Sequence, residues 1–275
     1  MLSLLVVACG GGSSGGGTSP TPSDDPGTPP APGASWYQPA ASSTWQWQLQ
    51  GAINTSYAVD IYDIDLFEAP DSVIADLHNA GRKVICYFSA GSYENWRPDA
   101  AQFTAGDIGK AMDGWAGEYW IDIRSANVRG IMEARLDLAK SKHCDGVEPD
   151  NVEGYGADSG FSLTANDQLG FNRFIAAAAH DRGLAVALKN DVDQIAALVG
   201  DFDFAVNEEC FEYDECDTLA PFIQAGKPVL QAEYAGTYVN NADARAAMCA
   251  DSLNRGFSTL VLPLDLDDSF RYSCR

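Results

Sequence analysis

From Ser35 to Arg275 the chain alternates strictly between apolar strand-like runs and helical patterns, and few architectures accommodate such an order. The runs predict eight strands: Tyr57–Ile64, Lys83–Ser89, Tyr119–Ile123, Gly146–Asn151, Ala185–Lys189, Phe204–Glu208, Pro228–Glu233 and Thr259–Leu264. Between them, Asp71–Asn79, Asn127–Lys140, Asp167–Asp181 and Asn241–Asn254 carry apolar residues at helical spacing, Val73, Ile74 and Leu77 being one such face. Gly81, Gly183, Gly226 and Gly256 each precede a strand, where a helix C-cap calls for the left-handed conformation that glycine adopts freely. Eight strands alternating with helices predict a single-domain α/β fold, a (β/α)8 TIM barrel, rather than an open sheet. An open sheet often carries a Gly-rich phosphate loop after its first strand. Here the first run passes into Asp63-Ile64-Asp65-Leu66-Phe67, with no nucleotide fingerprint. Trp36–Gly51, with Trp45 and Trp47, is expected to pack over one barrel end, sugar stacking being the sharper reading of its tryptophans.

Residues 1–34 have a different character. Leu4-Leu5-Val6-Val7-Ala8 followed by Cys9 resembles a lipoprotein leader, with Val6-Val7-Ala8-Cys9 as the lipobox and Cys9 as the lipidation site. The apolar run is short, and no Lys or Arg precedes it. Residues 10–34 read as a disordered Gly/Ser/Pro-rich tether, because such composition buries no core. The domains are therefore expected to be residues 1–9, 10–34 and 35–275. No segment is long enough to span a bilayer, so the expected membrane contact is a lipid anchor at Cys9, on an exported monomer of the bacterial cell envelope or exterior.

The balance of 17 Lys and Arg against 39 Asp and Glu leaves a net charge of −22. That excludes nucleic acid as a partner, since its phosphates are repelled. It suits a cationic ligand, or simply keeps an exported protein soluble. Six cysteines follow Cys9, an even number that suggests disulfides. Cys210 with Cys216 brackets a short loop, and Cys249 with Cys274 ties the C-terminus to the last helix. Cys86 and Cys144, on the second and fourth expected strands, are read as buried thiols. Without Cys-x-x-Cys spacing, structural zinc is not expected.

In barrels the chemistry sits at the C-terminal strand ends. Here these ends carry Asp63 and Asp65, Tyr87 and Ser89, Asp122 and Arg124, and then Glu148, Asp150 and Asn151. Lys189, Asn190, Asp191, Glu208, Glu209, Glu233, Tyr234 and Asp265 complete the ring. Each alone is an ordinary rim residue, but together they form an unusual circle of carboxylates. His78, His143 and His180 all lie away from these ends, which disfavours Ser-His-Asp or Cys-His mechanisms and histidine-held metals. Asp265-Leu266-Asp267-Asp268 lacks EF-hand spacing and reads as a solvated acidic loop. No metal or cofactor is expected. Two apolar runs that end in carboxylates, Asp145-Gly146-Val147-Glu148-Pro149-Asp150-Asn151 and Ala205-Val206-Asn207-Glu208-Glu209-Cys210, supply the pair that glycosidic-bond hydrolysis needs.

Five segments carry a family resemblance: Trp45-Gln46-Trp47-Gln48-Leu49-Gln50-Gly51, Asp60-Ile61-Tyr62-Asp63-Ile64-Asp65, Cys86-Tyr87-Phe88-Ser89-Ala90-Gly91, Glu148-Pro149-Asp150-Asn151 and Asn207-Glu208-Glu209-Cys210. In order and position they resemble glycoside hydrolase family 114, the endo-α-1,4-polygalactosaminidases, from about Trp45 to the C-terminus. The resemblance implies a (β/α)8 barrel that cuts α-1,4-linked galactosamine polymers of variable N-acetylation, and it places the catalytic pair at Asp150 and Glu208. By similarity to other barrel α-glycosidases, Asp150 is expected to be the nucleophile and Glu208 the acid/base of a retaining reaction. Glu148 is expected one layer deeper than Asp150, and Glu209 turned away from Glu208. Asp63, Tyr87, Asp122, Asn151, Lys189, Glu233, Tyr234 and Asp265 are expected to bind substrate. The carboxylates among them would meet ammonium groups of a cationic amino-sugar polysaccharide, and Tyr87, Trp96, Trp120, Tyr155 and Tyr234 would stack on sugar faces. The rival readings are a non-catalytic polysaccharide-binding barrel and a hydrolase of another amino-sugar or α-galactoside polymer.

Overall fold

The structure, a computed structural model, describes residues 35–275. Cys9 and the Gly/Ser/Pro-rich segment lie outside the described residues.

Among the described residues, strand β1 (Trp45–Gln48) comes first, followed by β2 (Ile61–Asp65), helix α1 (Asp71–Asn79) and β3 (Lys83–Ser89). Next stand three short strands, β4 (Ser92–Glu94), β5 (Ile108–Ala111) and β6 (Glu118–Ile121), and then α2 (Ala126–Ser141) and β7 (Gly146–Asp150). The chain continues through α3 (Ala165–Asp181), β8 (Ala185–Lys189), α4 (Ile195–Leu198), β9 (Phe204–Glu208), α5 (Ala220–Gln224) and β10 (Val229–Glu233). It ends with α6 (Gly236–Asn240), α7 (Ala242–Arg255), β11 (Ser258–Val261) and β12 (Tyr272–Ser273). The main sheet has the order β1-β2-β3-β7-β8-β9-β10-β11-β12 and is parallel except for β12. Its two ends meet through individual bonds. The Trp45 indole donates to Ser258 O at 2.8 Å, and Leu49 N donates to Leu266 O at 3.0 Å.

The barrel differs from the expected strands in two places. Trp45–Gln48 is not a cover over the barrel end but its first strand, in parallel register with Ile61–Ile64. Every residue of β1 is buried, and with two glutamines among two tryptophans it lacks the β-branched run that marks a strand in sequence. Conversely, the stretch predicted at Tyr119–Ile123 is β6, which pairs antiparallel with β4 and β5 in a separate sheet inserted after β3. The ladder of β3 goes directly to β7. The two differences offset each other in the count, so β7 is still the fourth barrel strand and β9 the sixth.

Strand periodicity separates two packing layers. Ile61, Ile85, Ala185, Ala187, Phe204 and Val206 face the interior with Trp45 and Trp47. Tyr62, Ile64, Val84, Val147, Val186 and Leu188 face the helices. Helix starts are defined by side-chain caps. The Ser125 hydroxyl accepts from Val128 N, Thr164 forms a capping box with Asp167, and Asn241 accepts from Asp243 N and Ala244 N.

Six cysteines form three disulfides: Cys86–Cys144, Cys210–Cys216 and Cys249–Cys274. The pairing of Cys86 with Cys144 corrects the expectation of two buried thiols. Parallel pairing of β3 with β7 sets Cys86 opposite Val147, and the chain entering β7 leaves Cys144 with its Cα 6.0 Å from that of Cys86. This bridge closes a 58-residue separation around the inserted sheet and α2. Replacing both cysteines by alanine is expected to lower the unfolding free energy by about 4 kcal/mol, the chain-entropy value for such a loop. Urea unfolding checks this, and a loss below about 1 kcal/mol would show that the loop is already confined without the bridge.

Candidate active site

Inward positions at the C-terminal ends of β3, β7, β8 and β9 bring Tyr87, Asp150, Lys189 and Glu208 together. The centre is the Lys189 ammonium, whose side chain is 2% exposed. Its Nζ lies 2.8 Å from Asp150 Oδ1, 2.8 Å from Glu208 Oε2 and 3.7 Å from Glu148 Oε1. Burial alone would lower its pKa. The carboxylates of Asp150, Glu208 and Glu148 outweigh that and hold it well above the usual lysine value. The Trp47 ring centroid, 5.2 Å from Nζ, closes another side.

Asp150 accepts three hydrogen bonds: from Lys189 Nζ, from Asn151 N at 2.8 Å, and from the Tyr87 hydroxyl at 2.9 Å. Glu208 accepts from the Tyr234 hydroxyl at 2.5 Å and from Asn190 Nδ2 at 3.3 Å, besides Lys189. Its backbone N donates to Asn190 Oδ1 at 3.0 Å. Since one ammonium touches both carboxylates, Asp150 Oδ1 and Glu208 Oε2 are separated by at most twice 2.8 Å.

The backbone that presents these groups is bent sharply. Asn151, Asn190, Asp191 and Glu209, which directly follow β7, β8 and β9, all have positive φ, between 44° and 60°. Such non-glycine conformations cost free energy and cluster where a site is built. One of these turns is clamped from below, where Ala90 N and Gly91 N donate to Asp150 O at 2.8 and 3.0 Å. A Cβ on Gly91 would stand 1.6 Å from Asn151 O, so this position requires glycine.

Two cavities open here. One, of about 210 Å³, is lined by Asp150, Lys189 and Glu208 together with Tyr87, Asn151 and Asp265. Trp47 and Glu118 contribute to its wall, and exposed Trp115 and Leu264 form its rim. The other, of about 510 Å³, is lined by Glu208, Glu153, Asp191 and Glu215 together with Trp120 and Tyr213. Glu153, Asn190 and Glu208 belong to both, so one groove runs past Glu208 from the first cavity to the second.

Of the residues expected to bind substrate, Tyr87, Asn151, Lys189 and Asp265 line the first cavity, and Tyr234 holds Glu208. Three others stand elsewhere. Asp63 is fully buried beneath the site, with no donor among the described residues. Its carboxyl and that of Glu148, also without a donor, can bond each other only by sharing a proton. Burial pushes both well above the carboxylate range. Asp122 is engaged by Arg124 at 2.8 Å and lines neither cavity. Glu233 is fully buried and accepts from Phe211 N and Gln231 Nε2. Glu209, with a left-handed φ of 58°, stands with Tyr213 and Glu215 of the loop after β9 in the wall of the second cavity.

Glu118 and Glu153 have no signal in the strand pattern. Glu118 comes from the inserted sheet, and Glu153 from the loop three residues beyond Asp150. Burial pushes Glu118 up to about 7, against a hydrogen bond from the Ser92 hydroxyl, with Glu94 and Asp150 adding to the rise. A carboxyl raised in this way costs stability as pH climbs from the ordinary carboxylate value through 7, because the folded state resists losing the proton. Glu118→Gln is therefore expected to melt above the parent at pH 8 and level with it at pH 4. A melting difference that does not change with pH would refute a buried, protonated Glu118.

Among curated protein sequences none matches the chain. The structure of Ega3 from Aspergillus fumigatus, crystallised in complex with galactosamine, is 48% identical, with a TM-score of 0.82 over 86% of this chain and 97% of that one. The glycoside hydrolase domain of PelA from Pseudomonas aeruginosa shares the fold at 13% identity, with a TM-score of 0.67 over 84% of this chain and 98% of that domain. The sequence profile of glycoside-hydrolase family GH114 matches residues 26–275, and the chain belongs to that family.

Proposed function

We propose that this chain cleaves α-1,4-linked galactosamine and N-acetylgalactosamine polysaccharide internally, with retention, using Asp150 as nucleophile and Glu208 as acid/base. The observation that carries the proposal is the single buried ammonium shared by both carboxylates. Retaining glycosidases hold their carboxyl groups about 5–5.5 Å apart, whereas inverting ones leave about 6.5–9.5 Å for a water. Two oxygens tethered to one Nζ at 2.8 Å each fall short of the inverting range.

The division of roles follows from surroundings. Asp150 and Glu208 each have three donors, Lys189 among them for both, so it is their position along the groove that separates the roles. Glu208 stands where the groove passes from one cavity to the other, the place of a bond about to break. In the first step Asp150 attacks the anomeric carbon while Glu208 gives its proton to the departing glycosidic oxygen. In the second, Glu208 takes a proton from water, the water oxygen bonds to the anomeric carbon, and Asp150 leaves. Lys189 stabilises Asp150 whenever it carries charge and fixes the spacing of the pair. Tyr87 and Tyr234 orient one carboxylate each.

The substrate class is supported by the galactosamine bound to Ega3 and by the carboxylate lining of the groove. Internal cleavage is supported by a groove that continues on both sides of Glu208, with Trp115 exposed at one end and Tyr213 at the other. Three disulfides fit an exported protein, and lipid anchorage at Cys9 belongs to the same reading.

The test is incubation of residues 35–275 with partly deacetylated α-1,4-galactosaminan, with released oligosaccharides read by mass spectrometry. Asp150→Asn and Glu208→Gln are each expected to lower release about a thousandfold. The first-formed anomer, followed by NMR, is expected to be α. An initial β anomer would refute retention, and no release from a folded parent would refute the hydrolase reading for this polymer.

A further inference from the structure

The second cavity contains a feature that the catalytic step does not use. The Asp191 side chain is held from behind. Asn172 Nδ2 donates to its Oδ2 at 2.9 Å and to Val152 O at 3.0 Å, and Gln168 Nε2 fixes Asn172 by donating to its Oδ1 at 2.9 Å. Asp191 is only 3% exposed and takes a left-handed conformation, φ 44° and ψ 47°, in the wall of the cavity. Its Oδ1 has no donor among the described residues, and neither has Oε2 of Glu153 in the same wall. Asp193, Glu209 and Glu215 also line it, and among the described residues no Lys or Arg does. Lys189, in the wall of the first cavity, is held by Asp150 and Glu208. A buried carboxyl presented by a dedicated amide scaffold, with one oxygen left without a donor, is a polar group still lacking its partner.

We propose that this cavity is the subsite for the leaving-group sugar and that Asp191 and Glu153 make it selective for a free 2-ammonium group. The proposal rests on the roles assigned to Asp150 and Glu208. The groove reaches this cavity past the acid/base, on the side away from the nucleophile, so it receives the sugar that departs. An ammonium brings three donors and a positive charge to two carboxyls that lack both. An acetamido group brings one donor, no charge and added bulk. Burial first, then repulsion from Asp193, pushes Asp191 up to about 8. Burial and Asp150 push Glu153 up to about 8, against the opposing pull of Lys189. The two carboxyls are thus mostly uncharged in the free enzyme near neutrality, and an arriving ammonium favours their ionised forms.

After cleavage, the sugar from this subsite becomes the new non-reducing end of a product, whereas the sugar on the nucleophile side becomes the reducing end. The test uses a randomly half-acetylated α-1,4-galactosamine polymer, with both product ends sequenced by tandem mass spectrometry. The parent is expected to give non-reducing ends at least tenfold enriched in the free amine. Asp191→Asn and Glu153→Gln are each expected to bring that ratio close to the composition of the polymer and to leave the reducing ends unchanged. Asparagine tolerates the left-handed backbone and keeps an acceptor for Asn172, so Asp191→Asn retains the scaffold. Non-reducing ends at the polymer's own composition in the parent, or an enrichment that survives both substitutions, would overturn the proposal.

If the parent releases nothing, the hydrolase reading fails separately. Calorimetry with galactosamine and N-acetylgalactosamine on the parent and on Asp191→Asn then decides the subsite. A preference for the amine that is lost in the variant supports it, and equal preference in both proteins overturns it.

Discussion

The site is organised by competition for one cation. Lys189 is buried at the top of β8, in reach of Asp150, Glu208 and Glu148, with Asp63 below and Glu153 beside them. One ammonium cannot balance so many buried carboxylates, and isolated buried charge is costly. The surplus is met with protons. Burial pushes Asp63 and Glu148 well above the carboxylate range and holds Glu118 and Glu153 up at about 7 and about 8. The two carboxylates in direct contact with the ammonium are the pair proposed above as catalytic. Removing Lys189 would therefore do more than delete a hydrogen bond, because it would redistribute protons over the whole cluster.

That competition needs a backbone able to aim several charged groups at one point. The interior layer of β7, β8 and β9 delivers residues 150, 189 and 208 by simple alternation, and the turns that follow use four non-glycine residues at positive φ. Each turn has an anchor. Ala90 and Gly91 amides hold the carbonyl of Asp150, Asn190 holds the backbone of Glu208, and the Cys210–Cys216 bridge ties the loop that carries Glu209, Tyr213 and Glu215. The asparagines at 151 and 190 suit such turns, since a short polar side chain tolerates the left-handed region. Asn151 also reaches Ser89 and Glu118, linking the turn after β7 to the inserted sheet.

Much of this architecture is legible in the amino-acid sequence. Strand alternation points to the barrel, and the inward positions 150, 189 and 208 follow from residue parity once the strands are placed. The departures have physical causes. β1 does not read as a strand because its Trp-Gln-Trp-Gln pattern is buried on both faces, with the glutamines satisfied by hydrogen bonds to Arg271, Asp268 and nearby carbonyls rather than by solvent. β6 reads as a barrel strand because Tyr119–Ile123 has strand composition, and composition does not say which sheet a strand joins. Asp63 has the parity of a site residue but sits level with Ile85, below Tyr87 and Glu148, so its inward direction points into the barrel rather than into the groove. Glu233 has the opposite parity, since its neighbour Ala232 pairs with Glu208, and it faces the helix layer beside Val261. Glu118, Glu153 and Tyr213 belong to loops and an insertion, where no periodicity registers.

The net charge of −22 bears on the same question. Most of the carboxylates are at the surface, where salt screens them beyond about 8 Å and a compensating ion costs little. Solubility accounts for those. It does not account for carboxyls whose burial raises them to about 7 or 8, because a group held uncharged adds nothing to solubility and destabilises the fold when ionised. Glu118, Glu153, Asp191 and Glu233 are four such groups, and the first three line the groove that contains Glu208. A chain gains nothing from this arrangement in the empty state. It gains when a ligand carries its own positive charges into the groove, which makes the buried acids, rather than the overall charge, the feature that speaks to substrate.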